Sequence, residues 1–238
     1  MKATPLEFRF RFLILAVIYL LGFVAPWNYW LHLDTIRTWQ LLAAWPARSG
    51  WISFSAATIL VLLLGILCAL AGAILRTWAA AYLGTSIVQD KAMHGSSVVA
   101  AGPYRHLRNP LYLGTFLHTF ALALLMPPSG AIFCILAVGL FQLRLIAGEE
   151  SFLTAKLGEP YLIYSSKVPR LLFALIPRVP ASLLQPKWPT AFLGEIYMWG
   201  VVVTFAALGW RYNSILLIKG VLISLGLSLI IRGFLPKR

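Results

Sequence analysis

The chain has 238 residues, 60% of them hydrophobic and 11% charged, and a net charge of +13 from 20 Lys+Arg against 7 Asp+Glu. Soluble domains carry about 25% charged residues, so this composition, with a mean hydropathy of +0.83, excludes a water-soluble globule. The basic residues flank apolar runs instead of forming a patch with exposed aromatics, which excludes a nucleic-acid surface and points to membrane lipids as partners.

Lys2, Arg9 and Arg11 precede the first apolar stretch, 12–25. The pattern has the look of a signal peptide, but Pro26 follows the only small-residue cleavage site, and further spans follow, so a retained first helix is expected. Five more apolar stretches lie at 51–75, 111–126, 131–147, 192–210 and 214–234. A spanning helix needs about 20 apolar residues, and the first and third stretches are short of that. Pro127-Pro128-Ser129-Gly130 separates the third from the fourth and suits a tight helical hairpin.

The expected architecture is an all-α integral membrane protein of about six transmembrane helices. With the N-terminus inside, all but Arg37, Arg48, Arg211 and Lys219 of the 20 basic residues fall on the cytoplasmic side, as loop charge requires. Both termini are then cytoplasmic, in a bacterial inner membrane or the endoplasmic reticulum. Three regions follow: N-terminal transmembrane helices at 1–69, a core at 70–177 holding the hairpin 111–147, and a C-terminal transmembrane hairpin at 178–238. The cytoplasmic stretches 76–110 and 148–191 hold most of the unusual polar residues, and 86–88 could pair with 98–101 as short strands.

Cys68 and Cys134 fall inside apolar runs and read as packing residues; no spacing suggests a metal. Gly220, Ser224 and Ser228 recur every four residues, a face for close helix packing within the chain or for a homodimer through the C-terminal helices. Lys219 is expected to snorkel to the outer interface.

Two segments carry the chemistry. Residues 102–114 read GPYRHLRNPLYLG, with Asn109-Pro110 as an N-cap followed by proline at the first helical position. The free amides of that helix start, with Arg105 and Arg108, form an anion site or, equally, a lipid-headgroup contact. The second segment begins at Glu149-Glu150, an acidic pair at the inner end of the fourth stretch. Adjacent helical positions differ by about 100°, so the two carboxylates should face different partners. The plain alternative is one salt bridge to Arg144 and one solvated carboxylate.

GPYRHLRNPLYLG followed by EESFLTAKLGEPYLIYSSKVPRL resembles the isoprenylcysteine carboxyl methyltransferases and the related phospholipid methyltransferases, across roughly residues 70–177. Arg76-Thr77-Trp78-Ala79 and Leu83-Gly84 resemble the start of that region. The resemblance implies S-adenosylmethionine as methyl donor in a cytoplasm-facing pocket. It implies that Gly102, Pro103, Tyr104, His106 and Tyr112 shape the donor pocket and that Glu149 or Glu150 meets the donor's amino or ribose groups. Arg105 or Arg108 would meet a carboxylate, and Tyr161, Tyr164 and Arg170 would line or close the site. Asn109 stands where the family most often has histidine. Asparagine donates and accepts hydrogen bonds but takes up no proton at neutral pH, so a general base at that position is not expected; His106, three residues away, is either a substitute or an idle histidine of the basic loop.

Methyl transfer from a sulfonium is an in-line displacement, in which alignment and exclusion of water are the protein's main tasks. A carboxylate acceptor needs no base at neutral pH, whereas an amine must first lose a proton. The expected activity is therefore methylation of a lipid-like amphiphile at the inner leaflet, on a carboxylate or else a headgroup amine. One rival is an NADPH-dependent membrane sterol-type reductase, since such enzymes also resemble this superfamily. Another is a non-enzymatic lipid-binding scaffold or transporter subunit.

Overall fold

The computed structural model describes residues 2–84 and 98–234, and all of its regular structure among them is helical. The expected pairing of 86–88 with 98–101 falls largely outside the described residues. Within them, 98–101 carry no strand, and the Ala100 carbonyl instead accepts from Ser182 N at 2.9 Å.

The helices, in chain order, are α1 Pro5–Arg9, α2 Arg11–Val24, α3 Trp27–Trp30, α4 Thr38–Arg48, α5 Phe54–Leu83, α6 Pro110–Ala123, α7 Pro128–Leu157, α8 Glu159–Lys167, α9 Trp188–Gly194, α10 Ile196–Val203 and α11 Ser214–Phe234. A 3-10 turn, Gly102–Arg105, precedes α6, and a π-helical turn, Thr204–Leu208, follows α10. The α-helices pack in a row: α2 on α7, α7 on α6, α6 on α5, and α5 on α9, α10 and the following turn, with α11 outermost.

Among the described residues, four segments are long and apolar enough to cross a membrane: Arg11–Trp30, Phe54–Leu83, Pro128–Leu157 and Ser214–Ile231. The pair Trp188–Gly194 and Ile196–Arg211 makes a fifth if a 66° bend between them is counted as one broken span. The expected count of about six is therefore not reached among the described residues, and the third apolar stretch accounts for the difference. It yields only the 14 residues of α6, which stops at Ala123. The chain then turns, and α4 closes over the end: Thr38 N and Trp39 N donate to the Met126 and Leu124 carbonyls at 2.9 and 3.1 Å. Backbone groups left unpaired by a short helix are thus satisfied by protein, as a low-dielectric surrounding demands.

Gly72 and Gly114 let α5 and α6 run antiparallel in near-backbone contact; a Cβ on Gly72 would lie 2.7 Å from the Gly114 carbonyl oxygen. The main core lies beyond this crossing, away from the 3-10 turn, and includes Leu122, Leu125, Met126, Val138, Val201 and Phe205. On α11, Ser224 and Ser228 are buried, and Gly220 and Ser224 face Thr204 and Gly200. The small-residue face is therefore used within the chain.

Candidate functional site

The polar groups gather at the end of the helical row where α5 and α7 finish and α6 begins. Gly102 opens the 3-10 turn with φ of +52°, a conformation that L side chains rarely adopt. A Cβ there would strike the Tyr82 ring, so glycine also sets how closely the turn sits on α5. Pro103 and Tyr104 are buried under it. Pro110 occupies the first position of α6, as its fixed φ favours.

Asn109 holds the N-cap position, but its side chain makes no cap hydrogen bond. The expected capping role is corrected accordingly. Nδ2 donates to Glu150 Oε1 at 3.2 Å and to the Arg170 carbonyl at 3.1 Å. The buried carboxylate draws the amide away from the helix start because a charged acceptor forms the stronger bond.

Glu150 is the hub. Besides Asn109 it receives Arg108 Nη1 at 3.2 Å, and Arg170 Nη2 and Nε at 2.6 and 2.9 Å. Arg108 N donates to the Pro169 carbonyl at 2.9 Å, fixing the backbone of the two segments together. The basic turn before α6, the acidic pair on α7 and the Val168-Pro169-Arg170 stretch thus meet. Glu149 points elsewhere, toward the Tyr112 hydroxyl and the Arg11 guanidinium, as the 100° step predicts. Arg144 pairs with neither glutamate of the pair; its Nη2 bonds both Glu7 oxygens at 2.8 and 2.9 Å. The alternative of an Arg144 bridge and a solvated partner is overturned.

Tyr161 and Tyr164 are buried on α8, with ring centroids 5.9 Å apart. Tyr164 donates to the Tyr104 carbonyl at 2.8 Å, locking α8 onto the 3-10 turn. Burial pushes the Tyr161 phenol up to about 12, reinforced by the Glu150 charge and opposed by Arg108; the Tyr164 phenol is raised for the same leading cause. Arg170 is held further above its usual value, first by its hydrogen bond to Glu150 and then by the carboxylate's charge.

Two expected site residues turn toward the segment after α8 instead. Arg105 Nε donates to the Val179 carbonyl at 2.9 Å. His106 Nδ1 lies 2.7 Å from the Ala174 carbonyl and its ring stacks on Phe173, centroids 4.9 Å apart. A carbonyl only accepts, so the His106 proton sits on Nδ1.

Three charged residues were not singled out for the site from the sequence. Arg11 faces Glu149 from the start of α2. Arg76, on α5, forms a two-pronged pair with Glu195, Nε to Oε2 at 2.7 Å and Nη2 to Oε1 at 2.8 Å, and donates from Nη1 to Thr115 Oγ1 at 2.7 Å. Glu195 is buried at the break between α9 and α10. The available signal was an ionisable residue inside or beside an apolar run, where its cost implies a partner.

Two buried polar atoms in this cluster lack a hydrogen-bond partner within the described chain: the Tyr104 hydroxyl and Arg108 Nε. Burying such groups unpaired costs about 1–3 kcal/mol each, so they suit a ligand that supplies polar atoms. Tyr104 lies within electrostatic reach of Glu149, Arg76 and Glu195 as well as Tyr164. No group of three or more His, Cys, Asp or Glu able to hold a metal occurs among the described residues.

The model of the phospholipid methyltransferase family matches residues 60–159, a stretch that contains the 3-10 turn, Arg108, Asn109, Tyr112 and both glutamates. No curated protein and no solved structure gives a significant match.

Proposed function

We propose, from the match of residues 60–159 to the phospholipid methyltransferase family model, that the chain transfers a methyl group from S-adenosylmethionine to a lipid at the inner leaflet, with the site and both termini cytoplasmic. The observation that carries the reading is the junction of Arg108 and Asn109 with Glu150, beside a buried Tyr104 hydroxyl that no group among the described residues satisfies. Bound S-adenosylmethionine supplies an electrophilic methyl on a sulfonium. Tyr104, Arg108, Tyr112 and Glu149 are the residues that would hold it, through the unpaired hydroxyl and guanidinium nitrogen and the carboxylate.

Of the two acceptor classes, a headgroup amine fits better. Glu149 lies within electrostatic reach of Tyr104, whereas the charge of Glu195 is taken up by Arg76, and a carboxylate attracts an ammonium while it repels a second carboxylate. The family description points the same way. An ammonium must lose a proton before its nitrogen attacks, and Glu149 is the carboxylate we assign to take it. Asn109 has its amide protons committed to Glu150 and the Arg170 carbonyl, so it serves as a strut, not a base.

The test is the protein purified in detergent, supplied with methyl-deuterated S-adenosylmethionine and total membrane lipid, and read by mass spectrometry. Label on an aminophospholipid headgroup is the expected result. Label on a carboxyl ester would move the acceptor to the other class. Tight binding of NADPH with no labelled lipid would overturn the methyltransferase reading.

A further inference from the structure

The segment 171–187, between α8 and α9, contains no regular secondary structure, yet it is tied down along one side. Ala174 N donates to the His106 carbonyl at 3.1 Å, Arg178 N to the Arg105 carbonyl at 2.8 Å, Ser182 N to the Ala100 carbonyl at 2.9 Å and Lys187 N to the Ala81 carbonyl at 2.8 Å. The Arg105 and His106 side chains reach back to Val179 and Ala174. Its backbone is therefore a strap laid over the 3-10 turn of the site.

The other side is strongly apolar. Leu172, Leu175, Ile176 and Leu183 are 82%, 88%, 74% and 97% exposed. Single exposed leucines are ordinary on a protein surface, but four nearly bare aliphatic side chains on a backbone held this firmly are not. Arg178 and Lys187, both exposed, lie among and after them. The strap runs without a break into α9 at Trp188, itself exposed, and α9 is the first half of the bent apolar pair. That continuity places the strap at the level where the chain meets the bilayer, and its cations complement anionic headgroups.

We propose that the strap 171–187 is a membrane-inserting rim of the site: Leu172, Leu175, Ile176 and Leu183 enter the hydrocarbon edge of the adjoining leaflet, and Arg178 and Lys187 hold anionic headgroups beside it. The outer surface of the strap then rests in lipid while its inner surface forms the support of Arg105 and His106. A lipid headgroup reaching the site would pass along this rim instead of crossing water. The inference requires a bilayer beside the strap but no particular reaction, so it can fail independently of the methyltransferase reading.

The test uses the full chain in nanodiscs of 3:1 phosphatidylcholine and phosphatidylglycerol, with a spin label at Leu175→Cys in a Cys68→Ser, Cys134→Ala background. Oxygen accessibility at position 175 several-fold above that of a water-soluble nickel chelate is expected, with the reverse ratio at the exposed control Glu159→Cys. Because replacing Cys134 disturbs a packed position, the unaltered chain provides a second reading. A phosphatidylcholine bearing a diazirine high on its acyl chain should label peptides covering 171–184. Chelate-accessible label at 175, or photolabel on α2 and α11 with none on the strap, would overturn the proposal.

Discussion

Asn109 and Glu150, far apart in sequence, meet at 3.2 Å, and the same amide nitrogen lies 3.1 Å from the carbonyl of Arg170, whose guanidinium grips the other oxygen of that carboxylate. One small side chain therefore closes a ring through three segments. Asn109→Asp puts a second carboxylate against Glu150 and should reduce methylation at least ten-fold, with a stability loss of about 1–3 kcal/mol. Asn109→His keeps one ring N–H donor and should retain activity within a few-fold. Initial rates and the midpoint of thermal unfolding in detergent check both.

Glu150→Ala removes the acceptor of four donor nitrogens from three side chains at once. Arg108 and Asn109 are mostly covered, whereas the Arg170 side chain is about half exposed, so water recovers part of that partner. Breaking a buried pair costs about 3–5 kcal/mol, and the exposed arm brings the expectation toward the low end. Glu150→Gln should lose less stability than the alanine variant, because its amide oxygen still accepts from one donor. Denaturant unfolding of the two variants in matched detergent gives the comparison.

The start of α6 was legible because proline fixes its own φ, and the diverging glutamates were legible because helix geometry fixes their angle. The fate of the Asn109 side chain was not: capping is a local preference, and a carboxylate from α7 outbid it. The length of α6 was hidden for a similar reason. Its apolar run continues past Ala123, but α4 docks on the Met126 and Leu124 carbonyls and turns the chain. Glu7 for Arg144 and Glu195 for Arg76 are pairings between distant segments, and a single sequence reports which charges are costly without reporting which ones meet.

Gly102→Ala forces a Cβ into the Tyr82 ring at a backbone angle that favours glycine. Overpacking and strain each cost about 1–3 kcal/mol. The displaced 3-10 turn carries Tyr104, so turnover should fall by at least ten-fold. Tyr82→Ala in the same chain removes the closest clash but leaves the Trp78 indole nitrogen 2.9 Å from the added Cβ and leaves the angle, so it should restore part of the stability. The double variant's unfolding midpoint against each single one decides.

Arg76 and Glu195 join the matched segment to the C-terminal helices beyond it. Arg76→Met or Glu195→Met alone leaves an uncompensated buried charge, a loss of about 3–5 kcal/mol. Arg76→Met with Glu195→Met leaves none, and the pair replaced together should cost much less than the two singles added. A double-mutant cycle on stability should therefore show a coupling above about 1 kcal/mol. Additive losses would mean that the two side chains act separately.

The N-terminal segment carries its own pH dependence. Thr4 N donates to Glu7 Oε2 at 2.7 Å and Glu7 N donates to Thr4 Oγ1 at 3.2 Å, while Arg144 holds both Glu7 oxygens. The Thr4 backbone bond, then Arg144, lowers the Glu7 carboxyl below its ordinary 4.5. A carboxyl with a depressed folded value contributes stability that is fully present above about 4.5 and is lost as pH falls through the lowered value. α1 should therefore stay docked on α7 at neutral pH and loosen in acid. Hydrogen exchange of residues 2–10, corrected for intrinsic rates, should lose protection as pH falls below about 4.5. Glu7→Gln should exchange faster already at neutral pH and show little further change on acidification. Protection in the unaltered chain that is independent of pH across this window would mean that Ala3 N on the Arg144 carbonyl and the Phe8 contacts hold the segment without the carboxylate.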